Sequence, residues 1–384
     1  MPYPDRTIGG QFKTLAPVEL TIPVMQNLIK RAGIDPVIID DVIWGCNYQR
    51  TYKENNLARV AAVKAGLPVT VPGITIHRNC TSSMSAIQMG FYQIRAGEAE
   101  CIMAGGSDSM STAPHMVFNA RYGQKYGHME MRDSMWDSLT NLGVGPAMGI
   151  TAENVADKYD ITREQMDAYS LRSQQRAVAA IDAGRFEEEI VPVTVKSRKS
   201  ETVYTVDEYP KRNATLEGLQ KLKPAFKEGG KVTAGNASGM NDASSGVILM
   251  SEEKAKELGC PIMAKVVSVA TTGVEPELMG IGPISSTKKA LEKAGLTVDD
   301  IDLFEINEAF SSQCLACQKE LGVPDEKLNV NGGGISLGHP VGATGSRIVI
   351  TLMYELKRRK QRYGVATLCA GGGMGTTVVI EMCE

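Results

Sequence analysis

Short apolar runs alternate with amphipathic stretches along most of the chain. Runs of three or four mainly apolar residues, bounded by turn residues, predict β-strands at 42–44, 75–77, 101–104, 303–306, 365–368 and 377–380. Apolar residues that recur every three to four positions predict helices at 56–65, 82–96, 151–159, 162–183, 310–321 and 346–358. The fourth of these helices begins with Thr162-x-x-Gln165, a capping-box pattern. This alternation predicts an α/β fold, in which the strand-to-helix turns bind ligands.

Two sequence echoes indicate an internal duplication. The segment around Gly33 returns around Gly295, 262 residues later, and each copy precedes an acidic and apolar run. The Ala-Gly-Gly segment that begins at Ala104 returns at Ala370, 266 residues later. Two echoes at nearly the same offset predict two similar half-domains.

The duplication also predicts how candidate reactive residues come together. It places Cys369 near the position that Met103 holds in the first half. It also makes the helix that opens at Ser346 the counterpart of the helix after Cys80. Pseudo-twofold packing of the halves would then bring Cys80, His339 and Cys369 together.

We predict three structural units along the chain. The first half comprises 1–113 and 241–262, an inserted loop domain comprises 114–240, and the second half comprises 263–384. Within the insert, the segment 195–231 carries nine Lys or Arg against five Asp or Glu. This positive excess fits either a solvated face or a dock for a phosphorylated cofactor such as coenzyme A.

Composition disfavours several classes of function. The 384 residues carry a net charge of −3 and only 5% aromatic residues, so we expect no nucleic-acid partner. No apolar run reaches the ~18 residues of a membrane-spanning helix, so we expect no membrane partner. The first residues lack a signal-peptide core and an Arg-rich targeting pattern, which predicts a cytoplasmic protein. Cys314-x-x-Cys317 has no second ligand pair of metal-site spacing, so we expect helix packing there and no metal.

Four side chains in separate turns are candidates for chemistry. Cys80 lies between a strand and a helix, where a helix N-terminus lowers the pKa of a thiol and its N–H groups can stabilise an oxyanion. His339 lies in a tight Gly-His-Pro turn, as expected of an acid/base group. Cys369 and Asn307 each end a predicted strand. Structural roles stay open as alternatives, namely core packing for the thiols and helix capping for Asn307.

Taken together, these residues resemble the thiolases, the family of acetyl-CoA acetyltransferases and 3-ketoacyl-CoA thiolases. The resemblance covers nearly the whole chain in ordered blocks. They lie at 6–9, 79–82, 104–111, 148–156, 233–242, 280–283, 307–310, 338–340 and 369–373. The resemblance implies a five-layer α-β-α-β-α core of two duplicated halves, with a loop domain inserted in the first.

The resemblance also implies a two-step acyl exchange, with coenzyme A as co-substrate and no permanently bound cofactor. Cys80 would take the acyl group with help from His339, and Cys369 would move a proton to or from the α-carbon. One oxyanion hole would use His339 and a water held by Asn307, and the other would use the N–H groups of Cys80 and Gly371. The implied coenzyme A contacts are Ser238, Lys211, Met148, Met279 and Ala234.

The chain departs from the family pattern in three places. Family members usually begin with a β-strand before the Arg-Thr block, whereas only five residues precede Arg6 here. Ser83 replaces a usual glycine after Cys80, which would add bulk where the acyl group approaches. Ala147 replaces a histidine that many short-chain acetoacetyl enzymes carry, which leaves room for a bulkier, branched or aryl 3-oxoacyl substrate.

The sequence leaves other functions open. A decarboxylating 3-ketoacyl synthase shares the fold and the nucleophile but needs a His or Asn where Cys369 stands. A non-catalytic acyl-CoA-binding subunit would fit Ser83 and the short N-terminus, and a thiolase that needs a small zinc-ribbon partner is a further alternative. By resemblance we expect a homodimer or homotetramer. In a tetramer, the Tyr- and Met-containing loop at 122–135 would bury apolar surface between dimers.

Overall fold

The computed structural model describes residues 8–49, 54–196 and 200–383. Its helices are α1 (Pro17–Ala32), α2 (Leu57–Ala65), α3 (Ser82–Arg95), α4 (Ser134–Thr140), α5 (Met148–Lys158), α6 (Arg163–Asp182), α7 (Leu216–Gln220), α8 (Glu252–Glu257), α9 (Gly282–Ala294), α10 (Ser311–Leu321), α11 (Gly334–Leu337) and α12 (Thr344–Arg359). Its strands are β1 (Asp41–Gly45), β2 (Gly73–Ile76), β3 (Cys101–Ser109), β4 (His115–Val117), β5 (Met131–Asp133), β6 (Val193–Lys196), β7 (Glu201–Tyr204), β8 (Asp242–Met250), β9 (Ala264–Gly273), β10 (Leu303–Ile306), β11 (Tyr363–Ala370) and β12 (Met374–Met382).

Two four-stranded mixed sheets form the core. The strand order is β2-β1-β3-β8 in the first sheet and β10-β11-β12-β9 in the second. In the first sheet β1 is parallel to β3, which is antiparallel to β8, and β10, β11 and β12 repeat this arrangement in the second. Val42 pairs with Met103, and 262 residues later Phe304 pairs with Val365. The two halves are therefore structural repeats, which confirms the predicted duplication.

Helices cover both sheets and fill the space between them, which gives the five layers α-β-α-β-α. Helices α1 and α2 pack on the outer face of the first sheet, α3 and α12 lie between the sheets, and α9 and α10 cover the outer face of the second. Neighbouring residues of one strand pack against different helix layers, because successive side chains point to opposite faces of the sheet. Val42 faces the outer helices, whereas Ile43 faces α3 and α12. Apolar residues on both faces explain why the core strands read as continuous apolar runs.

Local sequence signals mark the ends of α1 and α9 and the start of α6. Gly33 and Gly295, the paired glycines of the first echo, end α1 and α9 in the left-handed conformation, each with φ of 67°. A residue without Cβ adopts this conformation at no steric cost. Thr162 accepts a hydrogen bond from the N–H of Gln165 at the start of α6, and the side chain of Gln165 accepts one from the N–H of Thr162. The predicted capping box is therefore present.

The offset of the second sequence echo does not match the strand register of the structure. In the register that pairs β1 with β3 and β10 with β11, Cys369 occupies the position of Ser107. The prediction that Cys369 stands near Met103 is therefore wrong. The two similar glycine runs differ in role, because 105–106 lie inside β3 whereas 371–372 lie in the turn after β11.

The remaining sequence predictions have different outcomes. The division into units at 1–113 with 241–262, 114–240 and 263–384 stays a prediction, and the departure from the family pattern before Arg6 falls on residues outside the described ones. Cys314 and Cys317 are buried in α10 against the second sheet. Within 8–49, 54–196 and 200–383, no three His, Cys, Asp or Glu residues are grouped so that they could hold a metal ion. No helix in these ranges has the length and apolarity needed to cross a bilayer.

Candidate active site

The predicted catalytic residues lie in turns at the ends of core elements. Cys80 lies between β2 and α3, His339 lies between α11 and α12, and Asn307 directly follows β10. Cys369 is close to the end of β11, and Gly371 lies in the turn after it. Strands β10 and β11 are parallel, so their carboxyl ends meet at one edge of the second sheet. This edge lies against the start of α3, because the N–H of Gly371 reaches the sulfur of Cys80.

The Cys80 sulfur accepts hydrogen bonds from two backbone N–H groups, its own and that of Gly371. Burial nevertheless raises the pKa of the Cys80 thiol, the two N–H groups lower it and the nearby carboxylate of Asp108 raises it, and the net pKa is about 11. The prediction that the N-terminus of α3 lowers this pKa is therefore wrong, because loss of solvation outweighs the N–H groups. The free protein holds Cys80 as a neutral thiol, which needs a base before it can attack.

His339 is held as a neutral imidazole with one nitrogen available. Burial, and secondarily the positive charge of Arg347, lowers its pKa to about 3. Its Nδ1 lies 2.7 Å from the hydroxyl of Thr344, and that hydroxyl donates its single proton to the carbonyl of Pro340 (2.8 Å). The Thr344 oxygen must therefore accept the Nδ1–H of His339, which leaves a lone pair on Nε2. An Nε2 lone pair on a neutral ring can act as a general base.

Asn307 lies beside the imidazole and has an unused acceptor. Its Nδ2 is 3.5 Å from each ring nitrogen of His339. Its Oδ1 is buried and has no hydrogen-bond partner among the described residues. A buried amide oxygen without a partner is costly, and a bound water would satisfy it. This orphaned atom is consistent with the predicted water held by Asn307.

The residue after Asn307 anchors this turn. The buried carboxylate of Glu308 accepts hydrogen bonds from the Tyr169 hydroxyl (2.9 Å) and the Ser173 hydroxyl (2.6 Å) of α6. It also accepts the N–H of Ile335 (3.1 Å) in α11, the short helix that precedes His339. Glu308 therefore connects the turns that carry Asn307 and His339.

Cys369 is fully buried and lies close enough to Cys80 for the two thiols to interact. Burial raises the pKa of the Cys369 thiol well above its usual value, and a negative charge on Cys80 would raise it further. Cys369 also packs in one apolar cluster with Met279 and Ala237. The two candidate thiols therefore share one site, as the sequence predicted.

The predicted coenzyme A contacts occupy different surroundings. Met148 lies at the start of α5, with its sulfur against the Gly371 turn. Met279 packs with Cys369, and the N–H of Ser238 donates to the carbonyl of Ala309 (3.0 Å).

The other two predicted contacts lie elsewhere. Ala234 is part of the turn that begins with Thr233. The ammonium group of Lys211 lies 5.9 Å from the centre of the Tyr209 ring. The structure brings Met148, but neither Ala234 nor Lys211, to the wall of the pocket beside Cys80.

That pocket has a volume of about 490 Å³. Its apolar lining includes Met116, Leu139, Leu142 and Met148. The hydroxyls of Tyr48 and Ser138, which also line the pocket, lie 2.5 Å apart and connect the turn after β1 to α4. Apolar walls beside the Cys80 thiol suit an acyl chain attached to sulfur.

Two residues that position the nucleophile were missed by the sequence analysis. Asn79 has φ of 47°, and its Nδ2 donates to the carbonyl of Gly371 (2.8 Å), so it holds the Cys80 turn against the Gly371 turn. Buried Asp108 accepts the N–H groups of Tyr48 (2.9 Å) and Gly342 (2.6 Å) and so connects both halves. The available signals were an Asn before the nucleophile and an Asp in an otherwise small and apolar strand.

Ser83 faces away from the acyl pocket. Its hydroxyl accepts the N–H of Ser346 (3.0 Å), and the side chain is fully buried between α3 and α12. It does not belong to the lining of the pocket beside Cys80. The prediction that Ser83 adds bulk where the acyl group approaches is therefore wrong, because residue 83 points along the helix–helix contact.

Comparison with known proteins gives consistent matches over the whole chain. Residues 4–253 match the model of the thiolase N-terminal domain, and residues 260–382 match that of the thiolase C-terminal domain. The chain is 50% identical to an acetyl-CoA acetyltransferase of Syntrophomonas wolfei subsp. wolfei, over 98% of this chain and 96% of that protein. It is 47% identical to an acetyl-CoA acetyltransferase of Pseudomonas aeruginosa, over 98% and 97% of the two chains.

Solved structures give the same result. The crystal structure of the Bacillus anthracis acetyl-CoA acetyltransferase superposes with a TM-score of 0.95 at 48% identity, over 98% of this chain and 95% of that chain. The human mitochondrial 3-ketoacyl-CoA thiolase in complex with CoA also gives a TM-score of 0.95, at 42% identity, over 98% and 95% of the two chains.

Proposed function

The chain belongs to the thiolase family, and we propose that Cys80, His339, Asn307 and Cys369 are the residues that carry out its acyl transfer. The protein is an acyltransferase of the acetyl-CoA C-acyltransferase type, with coenzyme A as co-substrate and no permanently bound cofactor. The reaction is cleavage of a 3-oxoacyl-CoA to acetyl-CoA and a shortened acyl-CoA, or the reverse Claisen condensation. The observation that carries the assignment of residues is that Cys80 and Gly371 line one pocket, where the Asn79 side chain donates to the Gly371 carbonyl (2.8 Å).

In the cleavage direction, the first step uses the neutral thiol and the neutral imidazole. Nε2 of His339 takes the proton of Cys80, and the thiolate attacks the C3 carbonyl of the substrate. The C2–C3 bond then breaks, the acyl group stays on Cys80, and the electron pair leaves as the enolate of acetyl-CoA. The imidazolium N–H and a water on Asn307 would stabilise that enolate oxygen. Cys369 gives a proton to the carbon, and acetyl-CoA leaves.

The second step returns the enzyme to its first state. The Cys369 thiolate takes the proton of an incoming CoA thiol, and the CoA sulfur attacks the acyl group on Cys80. The N–H groups of Cys80 and Gly371 would stabilise the tetrahedral oxyanion. Its collapse releases the shortened acyl-CoA, and the Cys80 thiolate recovers its proton from His339.

The coenzyme A contacts belong to this proposal. We assign Met148 and Met279 to the pantetheine arm, because Met148 lines the pocket beside Cys80 and Met279 packs with Cys369. Ser238 and Ala234 are assigned to it as neighbours in the segment after Thr233. Lys211 is assigned to the phosphates through its charge alone. Substitution of Lys211 by Gln should raise the KM for CoA and leave kcat unchanged if this last assignment is correct.

We propose a homo-oligomer in the cytoplasm as the working form. The hairpin of β4 and β5 supports an interface between copies, because Tyr122 and Tyr126 are 86% and 94% exposed at its tip. Large aromatic residues that are this exposed within one short loop are typical of an interface. The relatives described above give no support to a non-catalytic subunit or to a thiolase that needs a partner.

The test is coenzyme A-dependent cleavage of a panel of 3-oxoacyl-CoA esters, with short, long, branched and aryl chains. Cys80→Ala should abolish cleavage of every ester. Cys369→Ala should still form an acyl-enzyme on Cys80, which mass spectrometry of the intact protein detects. Acyl-enzyme in the Cys80→Ala variant, or full turnover by Cys369→Ala, would refute the assigned roles.

A further inference from the structure

The side chain of Asn307 does not hold its own amide in place. Its Nδ2 lies 3.5 Å from each ring nitrogen of His339, at the limit of a hydrogen bond, and its Oδ1 has no partner among the described residues. His339 has anchors of its own, because its N–H donates to Oδ1 of Asn241 (3.2 Å) and its Nδ1 lies 2.7 Å from the Thr344 hydroxyl. The backbone around Asn307 must therefore set where the amide lies relative to the imidazole.

Glu308 holds this backbone with four hydrogen bonds. Its Oε1 accepts the Tyr169 hydroxyl (2.9 Å) and Nδ2 of Asn329 (3.0 Å). Its Oε2 accepts the Ser173 hydroxyl (2.6 Å) and the N–H of Ile335 (3.1 Å). Each oxygen thus has two donors, as a buried carboxylate requires. Because the donors come from α6, from the loop before α11 and from α11 itself, the carboxylate fixes the turn from several sides.

Asn329 joins the same carboxylate to the last residue of β10. Its Oδ1 accepts the N–H of Ile306 (2.8 Å), and its Nδ2 donates to the Ile306 carbonyl (2.8 Å) as well as to Glu308. The backbone of Asn329 is left-handed, with φ of 44°, a conformation that asparagine adopts more readily than most residues. The chain is therefore held directly before and directly after Asn307.

The glycine turn before α11 closes on this pair and leaves no room for side chains. A Cβ on Gly333 would lie 2.5 Å from the carboxyl carbon of Glu308, and a Cβ on Gly334 would lie 2.9 Å from Oδ1 of Asn307. Helix α11 begins at Gly334 and leads directly to the turn of His339. The backbone that carries the imidazole is therefore in contact with both Asn307 and Glu308.

We propose that Glu308, together with Asn329, is a positioning residue that sets the distance between the Asn307 amide and the His339 imidazole. This inference rests on the proposed function, in which these two groups stabilise the enolate oxygen of acetyl-CoA. Glu308 and Asn329 are 1% and 2% exposed, and both lie outside the lining of the pocket beside Cys80. They therefore act through Asn307 and not on the substrate.

The proposal predicts a selective effect on one part of the reaction. His339 keeps its own anchors, so loss of the Glu308 contacts should displace the Asn307 amide and leave the imidazole in place. Formation of the enolate should then become slower. Transfer of the acyl group between Cys80 and CoA should not, because the N–H groups of Cys80 and Gly371 stabilise its oxyanion.

Glu308→Gln tests this prediction with almost no change in side-chain volume. The hydroxyl donors can reverse their bonds, but Asn329 Nδ2 and the N–H of Ile335 cannot, so the new NH₂ group must face one of these two donors. For the best substrate of the ester panel, kcat should fall about thirtyfold while KM stays within about twofold. Exchange of isotope-labelled CoA into the shortened acyl-CoA passes through acyl-Cys80 without an enolate, and its rate should stay within about twofold.

Asn329→Gly is the second variant, and it carries the same test if Glu308→Gln does not fold. Glycine accepts the left-handed backbone but removes the side-chain bonds to Ile306 and Glu308, so the same selective loss should appear. Asn307→Ala is the reference for a full selective loss.

The matched control is Asp302→Asn, at the opposite end of β10. Oδ2 of Asp302 accepts the N–H groups of Arg362 (2.9 Å) and Tyr363 (2.8 Å), so the substitution also removes a carboxylate that holds backbone N–H groups. It should lower the urea concentration at which the protein unfolds and leave the rates of cleavage and exchange unchanged.

Three results would overturn the proposal. Equal losses of cleavage and exchange in Glu308→Gln and Asn329→Gly would mean that these residues only support the fold. Unchanged cleavage in both variants, with a selective loss in Asn307→Ala, would remove the positioning role and leave the proposed function intact. A lack of selective loss in Asn307→Ala would instead refute the role of Asn307 in the proposed function, and the inference would fail with it.

Discussion

At the scale of single residues, burial decides the protonation states of the site. It raises the pKa of the Cys80 thiol to about 11 and lowers that of His339 to about 3, so the resting pair is neutral. A sequence pattern shows that a thiol lies at a helix N-terminus, but it does not show how much solvent that thiol loses. The roles of both residues were accessible from the sequence, whereas the direction of the thiol pKa shift was not.

The buried imidazole predicts a specific loss of stability in acid. Folded His339 stays neutral down to about pH 3, whereas an unfolded histidine takes a proton near its usual pKa of 6.5. The unfolded state therefore binds one more proton between these values, so acidification favours unfolding. Between pH 6 and pH 4 the free energy of unfolding should fall by about 1.4 kcal/mol per pH unit more in the native protein than in His339→Asn. Urea unfolding of both proteins at several pH values measures this difference, and parallel curves would contradict it.

The left-handed Asn79 predicts different effects for two substitutions. Asn79→Ala and Asn79→Gly both lose the hydrogen bond to the Gly371 carbonyl, so both should lower kcat/KM by about tenfold through a displaced oxyanion hole. Only the alanine variant also has the steric cost of a Cβ at φ of 47°, which is about 1 kcal/mol. Asn79→Ala should therefore unfold at a lower urea concentration than Asn79→Gly. Equal stability of the two variants would show that the backbone relaxes.

At the scale of elements, the sequence located strands and helices better than it located their ends. Strand β3 was predicted to end at Ala104, because glycines are typical of turns, but it continues to Ser109. A Cβ on Gly105 would lie 2.6 Å from the Trp44 ring, and one on Gly106 would lie 2.0 Å from the carbonyl of Gly342. These glycines permit close packing between layers, which is a tertiary contact that local sequence does not reveal.

The contact between α3 and α12 predicts a structural role for Ser83. Ser83→Ala would leave the buried N–H of Ser346 without an acceptor, which costs about 1–3 kcal/mol of stability. Because residue 83 lies outside the pocket lining, the preference among 3-oxoacyl-CoA chain lengths should not change. Denaturant unfolding and the ester panel together measure both effects. If Ser83→Ala instead shifts the substrate preference toward longer acyl chains and leaves stability unchanged, Ser83 contributes to the acyl pocket.

At the scale of the whole molecule, duplication explains how one site is built from two halves. The position of Cys369 in β11 is held by Ser107 in the first half, and the turn of Cys80 corresponds to the turn around Gly342. Each half thus contributes one thiol, and the counterpart of each thiol has no reactive sulfur. Sequence echoes predicted the repeat, but only strand register shows which positions are equivalent.

The exposed hairpin predicts the assembly state. Tyr126 and Met131 are 94% and 66% exposed in β5 and the loop before it, and neither contributes to the pocket beside Cys80. If this hairpin joins copies of the chain, Tyr126→Ser combined with Met131→Ser should reduce the molar mass in solution, because the interface loses its apolar contacts. Light scattering of the native and doubly substituted proteins measures this change.

The control for that experiment is activity per chain. The substituted residues lie away from Cys80, so a smaller assembly should keep its kcat if the hairpin serves only to join copies. A substitution that removes a large exposed side chain should also leave the free energy of unfolding of the single chain nearly unchanged. An unchanged molar mass would place the interface on another face, and the exposed aromatic residues of 122–126 would then need a different partner.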